Sequence, residues 1–251
     1  MAWLNLKQDL QQAQQEKIGD HLVEKQKVEK NKCAPFNQEE IIRKTAEYVR
    51  ATLEGEASGH DWWHAYRVWK VAQTIGKQEG ADLFVVELAA LLHDIADWKF
   101  HDGDETVGPQ KARTWLTSLH VQKDIIDHVC EIIETVSFKG AGVATPMRTL
   151  EGKVVQDADR LDAIGAIGIG RCFAFGGSKG RLMYDPQQKV LLHESAESYK
   201  KNDSTSLNHF YEKLFLVKDR INTKTARDIA QQRHEYMKVF VKRFLDEWNG
   251  I

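Results

Sequence analysis

The 251-residue sequence predicts an all-α protein, and three observations carry that prediction. Apolar residues recur at spacings of three and four from Phe36 nearly to the end, alternating strand patterns are scarce, and no internal repeat is present. With 42% hydrophobic residues the chain is long enough to bury a substantial core as one helical-bundle domain.

Residues 1–36 are rich in Gln, Lys and Glu and are interrupted at Pro35, so they predict an N-terminal extension, either a solvated helical arm or a partly disordered one. The domain proper is assigned to 37–251. "LFVVELAALLHDIAD", starting at Leu83, is apolar on nearly every side and suits a central helix ringed by others, with His93 and Asp94 at its C-terminal end. "KDIIDHVCEIIETV" places Ile125, Ile126, Val129, Ile132, Ile133 and Val136 on one buried stripe. "EGKVVQDADRLDAIGAIGIG" reads as one further helix, in which Gly165 and Gly168 permit close approach of a neighbouring backbone. Gly176 to about Asn202 reads as an extended loop, with "KVLLHES" the one weak strand candidate. Helical pattern resumes at "SLNHFYEKLFLVKDRI" and runs through "ARDIAQQRHEYMKVFVKRFLDEW".

Composition excludes several functions. Lys and Arg number 35 against 37 Asp and Glu, and a net charge of -2 gives no general attraction to nucleic acid or an anionic membrane, so any anion must be met locally. No apolar run reaches the roughly 18 residues of a membrane span, and charge and glutamine interrupt the N-terminus too early for a secretory signal. Cys33, Cys130 and Cys172 are too few and scattered for a disulfide framework and read as free thiols. A soluble, cytoplasmic protein is expected. The oligomeric state is left open, a homodimer being one allowed outcome.

Three stretches could carry chemistry. In "GHDWWHAYRV", His60 and His64 stand four apart, on one face if both are helical, with Asp61 where a zinc protease would carry its glutamate. Aspartate is one methylene too short for that work, no third ligand follows at the required spacing, and Asp61 equally serves as a helix-entry residue. In "LLHDIADWKF" the imidazole of His93 and the carboxylate of Asp94 end a buried helix, where they need a partner. In "VVQDADRLD", Asp157, Asp159 and Asp162 crowd six positions, more than decoration of a helix N-terminus requires. Trp62, Trp63 and Trp69 read as packing around the first of these stretches rather than as a platform for a base.

Together, His60–Val68, Leu91–Phe100, "SFKG" at 137–140, Asp157–Arg171 and "NHFYEKL" at 208–214 resemble, in order, the motifs of the HD-domain metal-dependent phosphohydrolases, especially small bacterial and fungal members. The resemblance covers roughly residues 37 to 248. It implies that His64, the histidine before "xxRV", and His93, Asp94 and Asp159 hold one divalent metal, with His60 and Asp61 close by. Two imidazoles and two carboxylates form a mixed nitrogen and oxygen set that admits Mn²⁺, Mg²⁺, Fe²⁺, Co²⁺, Ni²⁺ and Zn²⁺, and the resemblance favours manganese. Four protein ligands on a six-coordinate ion leave positions for water and a phosphate oxygen.

Asp97, three residues after Asp94, is the candidate for orienting or deprotonating that water. Lys99, Lys139, Arg160 and Lys213 are candidate phosphate partners, joined by His209, and Asp162 is expected to brace Arg160, a ligand histidine or a helix end. The implied substrate is a small-molecule phosphate, a nucleotide above all, hydrolysed as by a nucleoside triphosphate pyrophosphohydrolase or a nucleotidase. Two rivals are a nucleotide-sensing module without turnover and a di-iron oxygenase, the latter requiring metal histidines that "LLHDIAD" does not clearly provide.

Overall fold

A computed structural model describes residues 37–55, 61–96, 106–136, 145–191 and 204–251. The expected N-terminal extension therefore lies outside the described residues. Residues from Gln38 to Ile251 form one compact unit. Its elements are α1 (Gln38–Thr52), α2 (Trp62–Glu79), α3 (Leu83–Leu92), α4 (Val107–Ser118), α5 (Lys123–Val136), α6 (Leu150–Asp162), α7 (Gly165–Ser178), a short α8 (Asn208–Glu212), a 3₁₀ segment (Leu214–Arg220) and the long α9 (Lys224–Trp248). Among the described residues there is no strand, and no helix is long and apolar enough to cross a membrane.

Polar side chains set where these helices start. Asp61 takes the backbone N–H of His64 at 2.9 Å and caps α2. Asp82 does the same for α3 through Phe84 and Val85, Thr149 for α6 through Gly152, and Thr223 for α9 through Ala226. Helix α2 ends on Gly80, whose φ of 75° is the left-handed conformation that closes a helix.

Helix α3 is the hub. Phe84, Val85, Val86, Leu88, Ala89, Ala90, Leu91 and Leu92 are all buried, and α1, α2, α5 and α6 pack around it. Helix α6 lies against both α2 and α3. This three-way contact brings the C-terminal end of α3 beside the first turn of α2 and the last turns of α6. Helix α9 then packs on α6, α7, α2 and the 3₁₀ segment.

Three expectations are corrected. The stretch 151–170 is two helices, broken where buried Ile164 adopts an extended conformation (φ -127°, ψ 166°) and Gly165 takes φ 78°. A Cβ on Gly165 would stand 2.9 Å from Cγ of Arg233, and one on Gly168 would stand 2.2 Å from the Ala163 carbonyl oxygen, so the break depends on both glycines. The pattern at 206–221 gives a short helix and a 3₁₀ segment because Lys213, at φ -141° and ψ -57°, interrupts it. Helix α7 runs to Ser178, past the expected start of the loop; residues 179–191 follow as turns, and the described part of "KVLLHES" is not a strand.

Candidate metal centre

Three helices deliver the site. His64 is the third residue of α2, His93 and Asp94 follow directly on α3, and Asp159 occupies the last turn of α6. Nε2 of His64 lies 3.3 Å from Nε2 of His93, 3.3 Å from Oδ2 of Asp94 and 3.4 Å from Oδ1 of Asp159. Nε2 of His93 lies 3.4 Å from Asp94 Oδ2 and 3.9 Å from Asp159 Oδ1. Both histidines are buried, whereas Asp94 and Asp159 are partly open.

The protons explain why these atoms face one another. Nδ1 of His93 is 2.8 Å from the Ala90 carbonyl, which can only accept, so the ring proton sits on Nδ1. Nδ1 of His64 is 2.7 Å from Oδ2 of Asp162, with the same consequence. Each neutral imidazole therefore turns a bare Nε2 lone pair toward the other and toward two carboxylates. Four acceptors so close repel unless a cation sits among them. Ligands about 2.1 Å from an ion stand about 3.0 Å apart along an octahedral edge and about 3.4 Å apart along a tetrahedral one, so the 3.3–3.4 Å separations among His64, His93 and Asp94 fit a single divalent ion, with Asp159 3.4 and 3.9 Å from the two imidazoles. His64, His93 and Asp94 are the one such donor group among the described residues.

Without an ion a proton takes its place. Burial works to lower the pKa of His64, but Asp159, Asp162 and Asp94 outweigh it and hold the group well above the ordinary histidine value. Burial likewise opposes ionisation of Asp159, yet His64 and His93 bring its carboxyl below the usual range. Asp162 is also held well below the usual carboxylate range against its own burial, by hydrogen bonds from His64 and Arg67 and the charge of Arg171.

The three carboxylates of "DADRLD" thus have three separate tasks. Asp159 faces the other donor atoms. Asp162 braces His64, one of the partners expected for it. Asp157 is fully buried and accepts from Asn222 N and Nδ2 and from Thr223 N and Oγ1, at 2.7–2.8 Å, fastening the start of α9 to α6. Arg160, expected at a phosphate and beside Asp162, stands elsewhere. About 100° round the helix from Asp159, it donates to the Arg220 carbonyl and to Thr145 Oγ1 and is 8% exposed. Asp61 is a helix cap, and because α2 begins at Trp62 it contains His64 without the residue four before it. The HExxH outline is therefore not realised on this helix. His209 lies in α8, partly buried, and Lys213 follows it at the helix end. His60, Asp97, Lys99 and Lys139 lie outside the described residues.

The tryptophans divide differently from expectation. Trp69 does pack, its Nε1 donating to Glu87 Oε2 at 2.7 Å to join α2 to α3. Trp63 is 58% exposed and forms an aromatic group with Trp62 and Tyr66, with ring centroids 5.8–6.5 Å apart, so it cannot be fixing His64 from within the core. Sequence reasoning gave no role to Arg67 and Arg171, both of which grip Asp162. Both stand in stretches that carried the resemblance, Arg67 three residues after His64 and Arg171 at the end of Asp157–Arg171, but neither stretch names the carboxylate that they grip.

A chain with this fold and this His/His/Asp cluster is an HD-type metal-dependent phosphohydrolase, and comparison with known proteins agrees. Residues 62–164 match the HD domain family. The uncharacterized protein YpgQ of Bacillus subtilis is 41% identical over 205 residues, covering 81% of this chain and 92% of that protein. A Bacillus thuringiensis HD-superfamily hydrolase of known crystal structure is 46% identical, covers 86% of this chain and 100% of its own, and superposes with a TM-score of 0.69. A crystal structure of YpgQ in complex with ADP is 36% identical in its superposition, covering 84% of this chain and 95% of that one, with a TM-score of 0.66. The chain belongs to the HD-domain hydrolases, among bacterial proteins of the YpgQ kind.

Proposed function

We propose that this protein hydrolyses a phosphoanhydride or phosphate ester of a small molecule, a nucleotide, on one divalent cation, Mn²⁺, in the cytoplasm. The meeting of His64, His93 and Asp94 at 3.3–3.4 Å, with Asp159 3.4 and 3.9 Å from the two imidazoles, carries the reading. The relative that binds ADP supports a nucleotide as the guest. When bound, the cation supplies acidification of a water and polarisation of a phosphate oxygen.

The residues divide the remaining work. His64 and His93 present neutral Nε2 atoms because their Nδ1 protons are held by Asp162 and the Ala90 carbonyl. Asp94 and Asp159 offset the charge of the ion and leave its solvent side open, both being partly exposed. Asp97, three residues beyond Asp94, is assigned to orient and deprotonate the attacking water. Lys99, Lys139, Lys213 and His209 are assigned to the phosphate charge, a role for which Arg160, already donating to Arg220 and Thr145, is poorly placed.

The test is a Mn²⁺-supported assay of the purified protein against nucleoside mono-, di- and triphosphates, with release of pyrophosphate and orthophosphate both followed. Hydrolysis should fall by at least about three orders of magnitude in Asp94→Ala, as expected when a catalytic ion is lost. Tight nucleotide binding without turnover in the unsubstituted protein would overturn the enzyme reading in favour of a sensor.

A further inference from the structure

Behind the donor atoms, Asp162 ends α6 with a side chain only 4% exposed. Its Oδ1 accepts from Arg67 Nε at 2.7 Å. Its Oδ2 accepts three times: from His64 Nδ1 at 2.7 Å, Arg67 Nη2 at 2.9 Å and Arg171 Nη1 at 2.6 Å. We propose that Arg171 is a positioning residue of the metal centre, acting through Asp162 on the ring of His64, so that seating α7 on the bundle and completing the metal site are one event. This rests on the metal reading above and is independent of which phosphate compound is cleaved.

The geometry supplies the reason. Arg67 and His64 belong to the same helix, three residues apart, so alone they would leave Asp162 free to follow α2 in any small movement. Arg171 comes from α7, beyond the chain break at Ile164, and fixes the same oxygen that orients His64. Its Nη1 also lies 3.2 Å from His64 Nδ1, against the ring itself. An oxygen held by three donors from two helices has one position; held by donors from α2 alone, it has a range. Partners of this kind behind a ligand histidine commonly change metal affinity by about 10–100-fold.

A purely structural arginine would lower thermal stability and leave the metal site of the folded protein as it was, so the test reads the metal directly. Co²⁺ is titrated into the purified, metal-stripped protein and into Arg171→Ala, Arg171→Lys, Asp162→Asn and the Arg171→Ala/Asp162→Asn double variant. Affinity and the visible Co²⁺ spectrum are recorded at a temperature where circular dichroism shows each to be folded. Arg171→Ala should weaken Co²⁺ by about 10-fold and alter the spectrum, and Arg171→Lys should recover part of both. Because the two side chains act as a unit, the double variant should be within about 2-fold of Asp162→Asn. Unchanged affinity and spectrum in both Arg171 variants, or losses that multiply in the double variant, would overturn the proposal. Should Arg171→Ala not fold, Arg171→Lys alone decides. Failure of the unsubstituted protein to bind Co²⁺ would instead strike the metal reading, and this proposal with it.

Discussion

His64 shows how one residue's surroundings select its chemistry. The residue is 1% exposed, its Nδ1 proton is committed to Asp162, and Nε2 faces two more carboxylates and a second imidazole. In the metal-free protein this environment stabilises the imidazolium, and a metal must displace that proton. The sign follows. A histidine raised in the folded state contributes stability that is complete below its ordinary value near 6.5 and is lost as pH rises through the folded value. Asp159 and Asp162, held low, contribute stability present above the ordinary carboxylate range and lost as pH falls through their folded values. The metal-free protein should therefore lose stability as pH climbs above about 6.5, and Mn²⁺ binding near pH 6.5 should release about one proton. Calorimetric titration in buffers of different ionisation enthalpy counts that proton, and buffer-independent heats at that pH would refute the assignment.

At the scale of elements, the decisive event is the break between α6 and α7. Leu161, Asp162 and Ile164 are buried within four positions, and turning the chain there lets Asp162 point back at His64 while α7 departs across it. Arg233 from α9 braces the turn, donating to the Leu161 carbonyl at 2.5 Å with its methylenes over Gly165. Gly168→Ala should force the start of α7 away from the Ala163 carbonyl. A clash of that size costs about 1–3 kcal/mol, or roughly 2–10 °C of melting temperature in a domain of this size. Differential scanning calorimetry measures it, and a melting temperature equal to that of the parent would count against so close an approach of the two backbones. The glycines were legible as points of close contact, but the break was not. Helical spacing alone reads smoothly through "DAIGAIGIG", whereas the Arg233 brace at the break comes from α9, far along the chain.

Over the whole molecule, the candidate metal donors are separated by about 30 and 95 residues along the chain, so an ion held by them would clamp tertiary structure. An ion that binds the folded form and not the unfolded one stabilises by about 2.7 kcal/mol at a hundredfold excess over its dissociation constant. Added Mn²⁺ should raise the melting temperature by about 5–10 °C, EDTA should reverse it, and His93→Ala should abolish the response. A shift retained in His93→Ala would place the stabilising ion elsewhere.

The amino-acid sequence was enough for the helical class, the central apolar helix ending in His93 and Asp94 and the covered stripe of α5, while its resemblance to a family named four side chains suited to one cation. Class, central helix and stripe are properties of periodicity, which a local pattern carries. Tertiary structure decided which of its possible partners Asp162 braces and that Asp157 fastens another helix. It set Arg160 against the Arg220 carbonyl and Thr145, left Trp63 exposed, and recruited Arg67 and Arg171 to Asp162. Such assignments depend on where a residue one position along a helix, turned through about 100°, meets partners distant in the chain, and no stretch of sequence contains both sides of that contact.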